Sequence, residues 1–216
     1  MKLHGMALSN YFNMAKHAVL AKGIACEFVD TRPSQAPEFL AKSPMGKVPL
    51  LETEHGFLSE TDAILDYLDE SEGGMRLFPE APFARAKVRQ LMKVQELYVE
   101  TPAHNLIGAI FGREVPQHLK EASQPELHKG LAALARLTEF KPWIAGADLS
   151  AADIFVFYSF VLSNRITKTV YDWDILQEVP GLAAWFRRFA ELPIAQQVIA
   201  DYEVASAARA ARGKQA

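Results

Sequence analysis

The segment Leu77-Phe78-Pro79-Glu80-Ala81-Pro82 splits the chain into two stretches that follow different periodicities. Two prolines within four residues deny a helix its amide donors and a central strand its ladder. Before the break, short apolar runs alternate with helical ones. Lys2–Gly5 reads as a first strand. Asn13–Lys22 reads as a helix stopped by Gly23, with Ala15, Ala18, Val19 and Lys22 at helical spacing. Cys26–Val29 is a second strand, and Pro33 punctuates the chain beyond it. Val48–Glu52 and Gly56–Ser59, joined by the polar turn Thr53-Glu54-His55, form a hairpin, and Ile64, Leu65 and Leu68 mark a helix over Thr61–Glu70. The order β-α-β-α-β-β-α sets a parallel crossover beside an antiparallel hairpin. Beyond the break the pattern is helical: 84–111 as one long helix bent at Pro102, then 126–140, 151–163, 181–192 and 194–211. The expected division is an α/β domain over 1–76, a linker over 77–84 and an all-α domain over 85–216. No internal repeat interrupts it, and the Ala/Arg-rich tail from Ala205 is assigned no function.

Composition closes several functional classes. Half of the 216 residues are hydrophobic, enough to bury a sizeable core without covalent staples. A formal charge of −3 argues against an obligate nucleic-acid binder, which needs a concentrated basic surface. Cys26 is the only cysteine, so no intrachain disulfide can form and a reducing compartment is expected. At the opening of a strand it reads as a small hydrophobe. No run approaches the ~20 apolar residues of a membrane span, and the N-terminal residues lack a signal-peptide pattern. The expectation is a cytoplasmic protein without membrane or nucleic-acid partners. The six histidines show no metal-ligand spacing, so no metal is expected, and His4, His17 and His104 read as surface or locally bonded groups.

Three segments of the first domain carry candidate chemistry. In Ser43-Pro44-Met45-Gly46-Lys47-Val48-Pro49-Leu50-Leu51, a proline opens a strand without an amide to give it. A cis Val48–Pro49 bond would turn the Val48 backbone outward to pair with an extended peptide; an edge-strand proline with an ordinary trans bond is the plainer reading. Ser59-Glu60-Thr61-Asp62 precedes an apolar helix. Its amides and partial positive charge suit a ligand carboxylate, while Ser59 as cap answered by Asp62 is the purely structural alternative. Ser9-Asn10-Tyr11-Phe12-Asn13 lies between the first strand and the first helix. A hydroxyl there would favour a thiolate near a helix N-terminus, or would only cap that helix.

Taken together, the segments resemble the glutathione transferase family over nearly the whole chain. Ser43–Pro49 is similar to the family's Asn-Pro-x-Gly-Lys-Val-Pro segment with Ser43 for Asn. Ser59–Ile64 is similar to Glu-Ser-x-Ala-Ile with Thr61 for Ser. Gly146-Ala147-Asp148-Leu149-Ser150-Ala151-Ala152-Asp153 resembles the Gly-x-x-x-Ser/Thr-x-Ala-Asp signature, physically a capping box from Ser150 to Asp153. The resemblance implies an α/β thioredoxin-like N-terminal domain plus an all-α C-terminal helical domain. It also implies glutathione as co-substrate, a small hydrophobic electrophile as acceptor, and a homodimer in which the 62–72 region faces the long helix of a second copy. By the same resemblance Val48 pairs with the cysteinyl part of glutathione and Pro49 is the cis proline. Lys47 approaches the glycine carboxylate, and Glu60 and Thr61 hold the γ-glutamyl end.

Ser9, fourteen residues before Gly23, matches the spacing of the catalytic serine in theta-, phi- and zeta-like classes. Tyr11, where the beta class keeps its cysteine, is the second catalytic candidate. The alpha, mu and pi classes keep a tyrosine where this register has Gly5. The absence of a cysteine from this segment argues against exchange through a protein thiol. Asn10 or Asn13 there would suit a glutathione-dependent disulfide reductase or peroxidase, and a non-catalytic ligand-binding protein on the same fold is a third alternative. Tyr98, Phe111, Tyr158 and Phe160 read as acceptor-pocket lining or as core, and Trp143, Trp173 and Trp185 as packing residues.

Overall fold

Ser9 decides where the first helix starts. In a computed structural model that describes residues 1–71 and 73–213, α1 spans Asn10–Lys22, three residues earlier than its apolar spacing predicts. Ser9 is extended at the N-cap, and Gly23 ends the helix in the left-handed conformation. By contacts the chain divides into two compact units, Met1–Leu77 with Ala190–Ala216, and Phe78–Phe189.

The first unit is built on four short strands: β1 (Lys2–Gly5), β2 (Glu27–Asp30), β3 (Leu50–Thr53) and β4 (Gly56–Leu58). The helical turn α2 (Pro37–Leu40) precedes β3, and α3 (Thr61–Glu70) follows β4. The sheet order is β2-β1-β3-β4. β1 and β2 run parallel, joined through α1, and β3 is antiparallel to both β1 and β4. Both hairpin strands are shorter than the sequence predicts, with β3 starting after Pro49. Leu50 and Leu51 point to opposite faces of β3 and are both buried, so this strand is covered on both sides. Met14, Ala15, Ala18 and Val19 of α1 and Ile64, Leu65 and Leu68 of α3 complete the core.

The last helix, α9 (Pro193–Gly213), counts with this unit although sequence order groups it with the helical half. Ala195 and Val198 are buried, and Lys16 Nζ on α1 meets Asp201 Oδ2 at 2.6 Å while lying 5.0 Å over the Phe28 ring.

In the second unit the expected long helix is interrupted. α4 (Pro82–Gln95) passes into a π-helical turn over Glu96–Glu100, then α5 (Thr101–His104) and a 3₁₀ turn over Ile107–Phe111. Pro102 has no amide for the Tyr98 carbonyl. The break falls just before it, where Thr101 brings both its amide and its hydroxyl to the Glu96 carbonyl. Glu100 is turned inward, where its carboxylate accepts from Ser159 Oγ at 2.7 Å and Ser163 Oγ at 3.0 Å. α6 (Gln117–Leu137) begins nine residues before its predicted start, with Pro125 inside it. α7 (Ala151–Tyr171) runs eight residues past Ser163, because no breaker intervenes before Asp172 adopts the left-handed conformation. α8 covers Leu182–Ala190.

The Ser150–Asp153 capping box opens α7, and Asp153 does more than cap. Its fully buried carboxylate accepts from the Ser150 amide at 3.0 Å, the Ile144 amide at 2.8 Å and the Trp185 indole at 2.8 Å. Burial pushes this carboxyl up despite those donors. Tyr158 and Phe160 are core residues, whereas Tyr98 and Phe111 keep much of their surface. Trp185 is fully buried, and Trp173 is half-buried with its indole donating to Glu178. No helix among the described residues is long and apolar enough to cross a membrane.

His17 is not a surface group. It is 2% exposed, in the interior of α1, and burial pulls its pKa down to about 4. The unfolded chain binds a proton near pH 6.5 that the folded chain refuses. Stability is therefore full above pH 6.5 and declines as pH falls toward 4, by about 3 kcal/mol from this residue. Urea unfolding of wild type and His17→Gln at pH 4.5 and 7.5 should show a shallower decline in the variant; parallel declines would clear His17 of the effect.

Candidate functional site

The strand register gathers the candidate residues. Opposite β1, Lys2 pairs with Glu52, Leu3 with Leu51 and His4 with Leu50. The chain leaving β1 toward Met6–Ser9 therefore runs beside the residues that enter β3, Val48 and Pro49. Across the hairpin, Leu51 pairs with Leu58, so the exit of β4 into Ser59-Glu60-Thr61 lies at the same end. All three segments singled out in the sequence thus meet at one end of the sheet.

At the first segment, Ser9 Oγ accepts from the Phe12 amide at 3.3 Å and caps α1. The cap uses an oxygen lone pair and leaves the hydroxyl proton to donate elsewhere. Ser9 and Tyr11 are half-buried, whereas Asn10 and Asn13 are 8% and 4% exposed. Gly5 is explained by packing, because a side chain there would collide with the Phe12 ring. A tyrosine at that position has no room.

At the second segment the Val48–Pro49 bond is cis, not the trans bond of the edge-strand reading. Val48 and Pro49 are buried and Lys47 is exposed. Ser43, 1% exposed, donates to the Lys47 carbonyl at 2.8 Å and accepts from the Lys47 amide at 3.2 Å, closing the turn that leads into Val48. Gly46 makes that turn possible with φ +65, its amide donating to the Ser43 carbonyl at 2.7 Å. A Cβ at Gly46 would meet the Ser34 carbonyl and the Gln35 side chain.

At the third segment the capping reading of Ser59 and Asp62 is overturned. Glu60 is the N-cap, and α3 opens without a side-chain cap. Asp62 Oδ1 instead accepts from the Ala63 amide at 3.1 Å. Glu60 has φ +68, a left-handed value that costs a non-glycine residue about 1–3 kcal/mol. Thr61, 6% exposed, is the first residue of α3.

Outside this end of the sheet, chemistry is sparse. Burial raises the Cys26 thiol, so it stays protonated at neutral pH. No group of three or more metal-ligating side chains occurs among the described residues. Two features were not legible in sequence: the Asn13 carboxamide donates to the Ala7 carbonyl at 2.9 Å, and Ser43 clamps Lys47. Neither contact leaves a spacing signal.

Both halves of the chain match known proteins. Residues 3–76 match the model of the glutathione S-transferase N-terminal domain, and residues 117–188 that of the C-terminal domain. A glutathione S-transferase of Pseudomonas putida is 44% identical over 94% of this chain and 93% of its own. The crystal structure of Gtt2 from Saccharomyces cerevisiae superposes with a TM-score of 0.74 at 22% identity, covering 92% of this chain and 100% of that one. A maleylacetoacetate isomerase from Methylobacterium extorquens, solved with bound malonate and GSH, reaches a TM-score of 0.72 at 25% identity, over 92% of this chain and 95% of its own.

Gly46→Ala should lower the stability of the first unit by about 1–3 kcal/mol, since it forces a left-handed alanine against backbone. Urea unfolding with an unshifted midpoint would show that the turn rearranges freely.

Proposed function

The chain belongs to the glutathione S-transferase family, and on that premise we propose that it conjugates glutathione to small hydrophobic electrophiles with Ser9 stabilising the thiolate. The observation that carries this reading is the convergence of Ser9, Val48–Pro49 and Glu60–Thr61 at one end of the sheet. Glutathione lies extended along Val48 beside Pro49, with Lys47 toward its glycine carboxylate. Its γ-glutamyl end meets Glu60, Thr61 and the uncapped start of α3, where partial positive charge favours a carboxylate.

The Ser9 hydroxyl donates to the sulfur. A free thiol is only a few per cent ionised at neutral pH, and each unit of pKa depression needs about 1.4 kcal/mol of preference for the anion. One charge-assisted hydrogen bond with the dipole of α1 supplies that order of energy. The thiolate then attacks an electrophilic carbon, which takes the sulfur's electron pair and releases its leaving group. The protein contributes position and charge stabilisation, with no covalent enzyme intermediate.

Tyr11, half-buried in the same segment, is the second candidate for the sulfur contact. The disulfide-reductase and peroxidase alternative would instead place the Asn10 or Asn13 carboxamide at the thiol, and Asn13 Nδ2 is already bonded to the Ala7 carbonyl. A ligand-binding role without turnover is the remaining alternative. The domain division at 1–76, 77–84 and 85–216 and a cytoplasmic setting, in keeping with the lone cysteine, are parts of the same proposal.

Ser9→Ala should cut kcat by about tenfold to a hundredfold with an aryl halide while leaving glutathione affinity by calorimetry within about twofold. Unchanged kcat would remove Ser9 from the role and shift it to Tyr11 or Asn13. Faster turnover of a mixed disulfide or a hydroperoxide than of the halide would favour the reductase alternative, and binding without turnover of any of them the carrier.

A homodimer is proposed through the 62–72 region of one copy and the long helix of another; Glu72 lies outside the described residues. Sedimentation equilibrium at micromolar concentration should give twice the 24.0 kDa chain mass, and a monomer would refute the pairing.

A further inference from the structure

The segment that delivers Ser9 is held by a buried side chain from the first turns of α1. Between β1 and α1, the Ser9 amide donates to the Met6 carbonyl at 2.9 Å, closing a turn over residues 6–9. The Asn13 amide donates to the Ser9 carbonyl at 3.0 Å, the first regular bond of α1. A third tie comes from the Asn13 side chain, whose Nδ2 donates to the Ala7 carbonyl at 2.9 Å. Ala7 stands two residues before the N-cap.

Asparagine is an unexpected residue there. It lies at the fourth helical position and is 4% exposed. This is where helices commonly place an apolar residue against the one before the N-cap, here Leu8, to fix the angle at which the chain enters. Asparagine lowers helix propensity, and inside a helix it competes for backbone partners. Its orientation is settled by the bond to Ala7, since the opposite amide rotamer would set oxygen against oxygen. That leaves Oδ1 buried, with no hydrogen bond from the described residues. Asparagine there also gives up the apolar contact that leucine would make with the residue before the N-cap.

From this trade we infer that Asn13 is the positioning residue for Ser9: it exchanges an apolar staple for a directed tie that fixes the Ala7–Ser9 backbone and so aims the Ser9 hydroxyl at the glutathione sulfur. Asn13 acts through the loop and does not touch the thiol. The inference rests on the proposed role of Ser9. It differs from a structural role because the substitution that favours folding should harm catalysis.

The test uses the full-length protein with glutathione and an aryl halide, comparing wild type, Ser9→Ala, Asn13→Leu and the double variant. Asn13→Leu should keep or raise the thermal midpoint. The pH midpoint of its kcat/KM should rise by about half a unit or more, a loss of about threefold below that midpoint. Glutathione affinity by calorimetry should hold, and the double variant should be no worse than Ser9→Ala. If Asn13→Leu does not fold, Asn13→Ala is read by the same profile. A pH profile that superimposes on wild type, in a series where Ser9→Ala is displaced, would overturn the inference and leave Asn13 a folding residue. If Ser9→Ala itself leaves the profile in place, the Ser9 reading fails first.

Discussion

The pairing of β3 with both β1 and β4 is the constraint on which the site depends. A strand antiparallel to two neighbours starts where both of them end. The exits of β1 and β4 and the entrance of β3 are therefore brought to one end of the sheet by hydrogen-bond register. Leu50 and Leu51 hold that register, because a slip of one residue would carry the charged Glu52 toward the buried position of Leu51.

The helical unit shows how far local sequence signals compete with packing. Asp153 belongs to a cap motif, yet its buried carboxylate also ties the chain before α7 and the indole of α8 to the start of α7. Removing one partner from such a group leaves a buried charge without its donors, so the motif holds the unit together as well as starting a helix. The π-helical turn before Pro102 obeys the same logic. The missing proline amide disturbs the ladder, and the turn that absorbs the fault is the one that sends Glu100 inward to Ser159 and Ser163.

Much of the candidate site was legible in the chain. Gly46, Lys47, Val48 and Pro49 stand in a pattern that has few uses, and Thr61 before an apolar run announces a helix N-terminus. The reading of Ser59 as the cap failed because Glu60 takes a left-handed conformation that no spacing rule anticipates. The start of α1 was placed late because apolar periodicity begins at Asn13, whereas the cap begins at Ser9. His17 was read as a surface or local group because a histidine on a helix carries no mark of its burial.

By itself the sequence determined the two periodicities, the breaks between them and the residue types at the three candidate segments. These are local properties, fixed by propensity, by proline and glycine backbone limits and by alternation. Only the tertiary structure decided which of those residues lie together, that α9 returns to pack on α1 through Lys16 and Asp201, and that Asn13 turns its amide to Ala7. Each of these depends on the direction of a side chain or a helix in three dimensions. A one-dimensional pattern fixes the spacing of such groups and leaves their aim to packing.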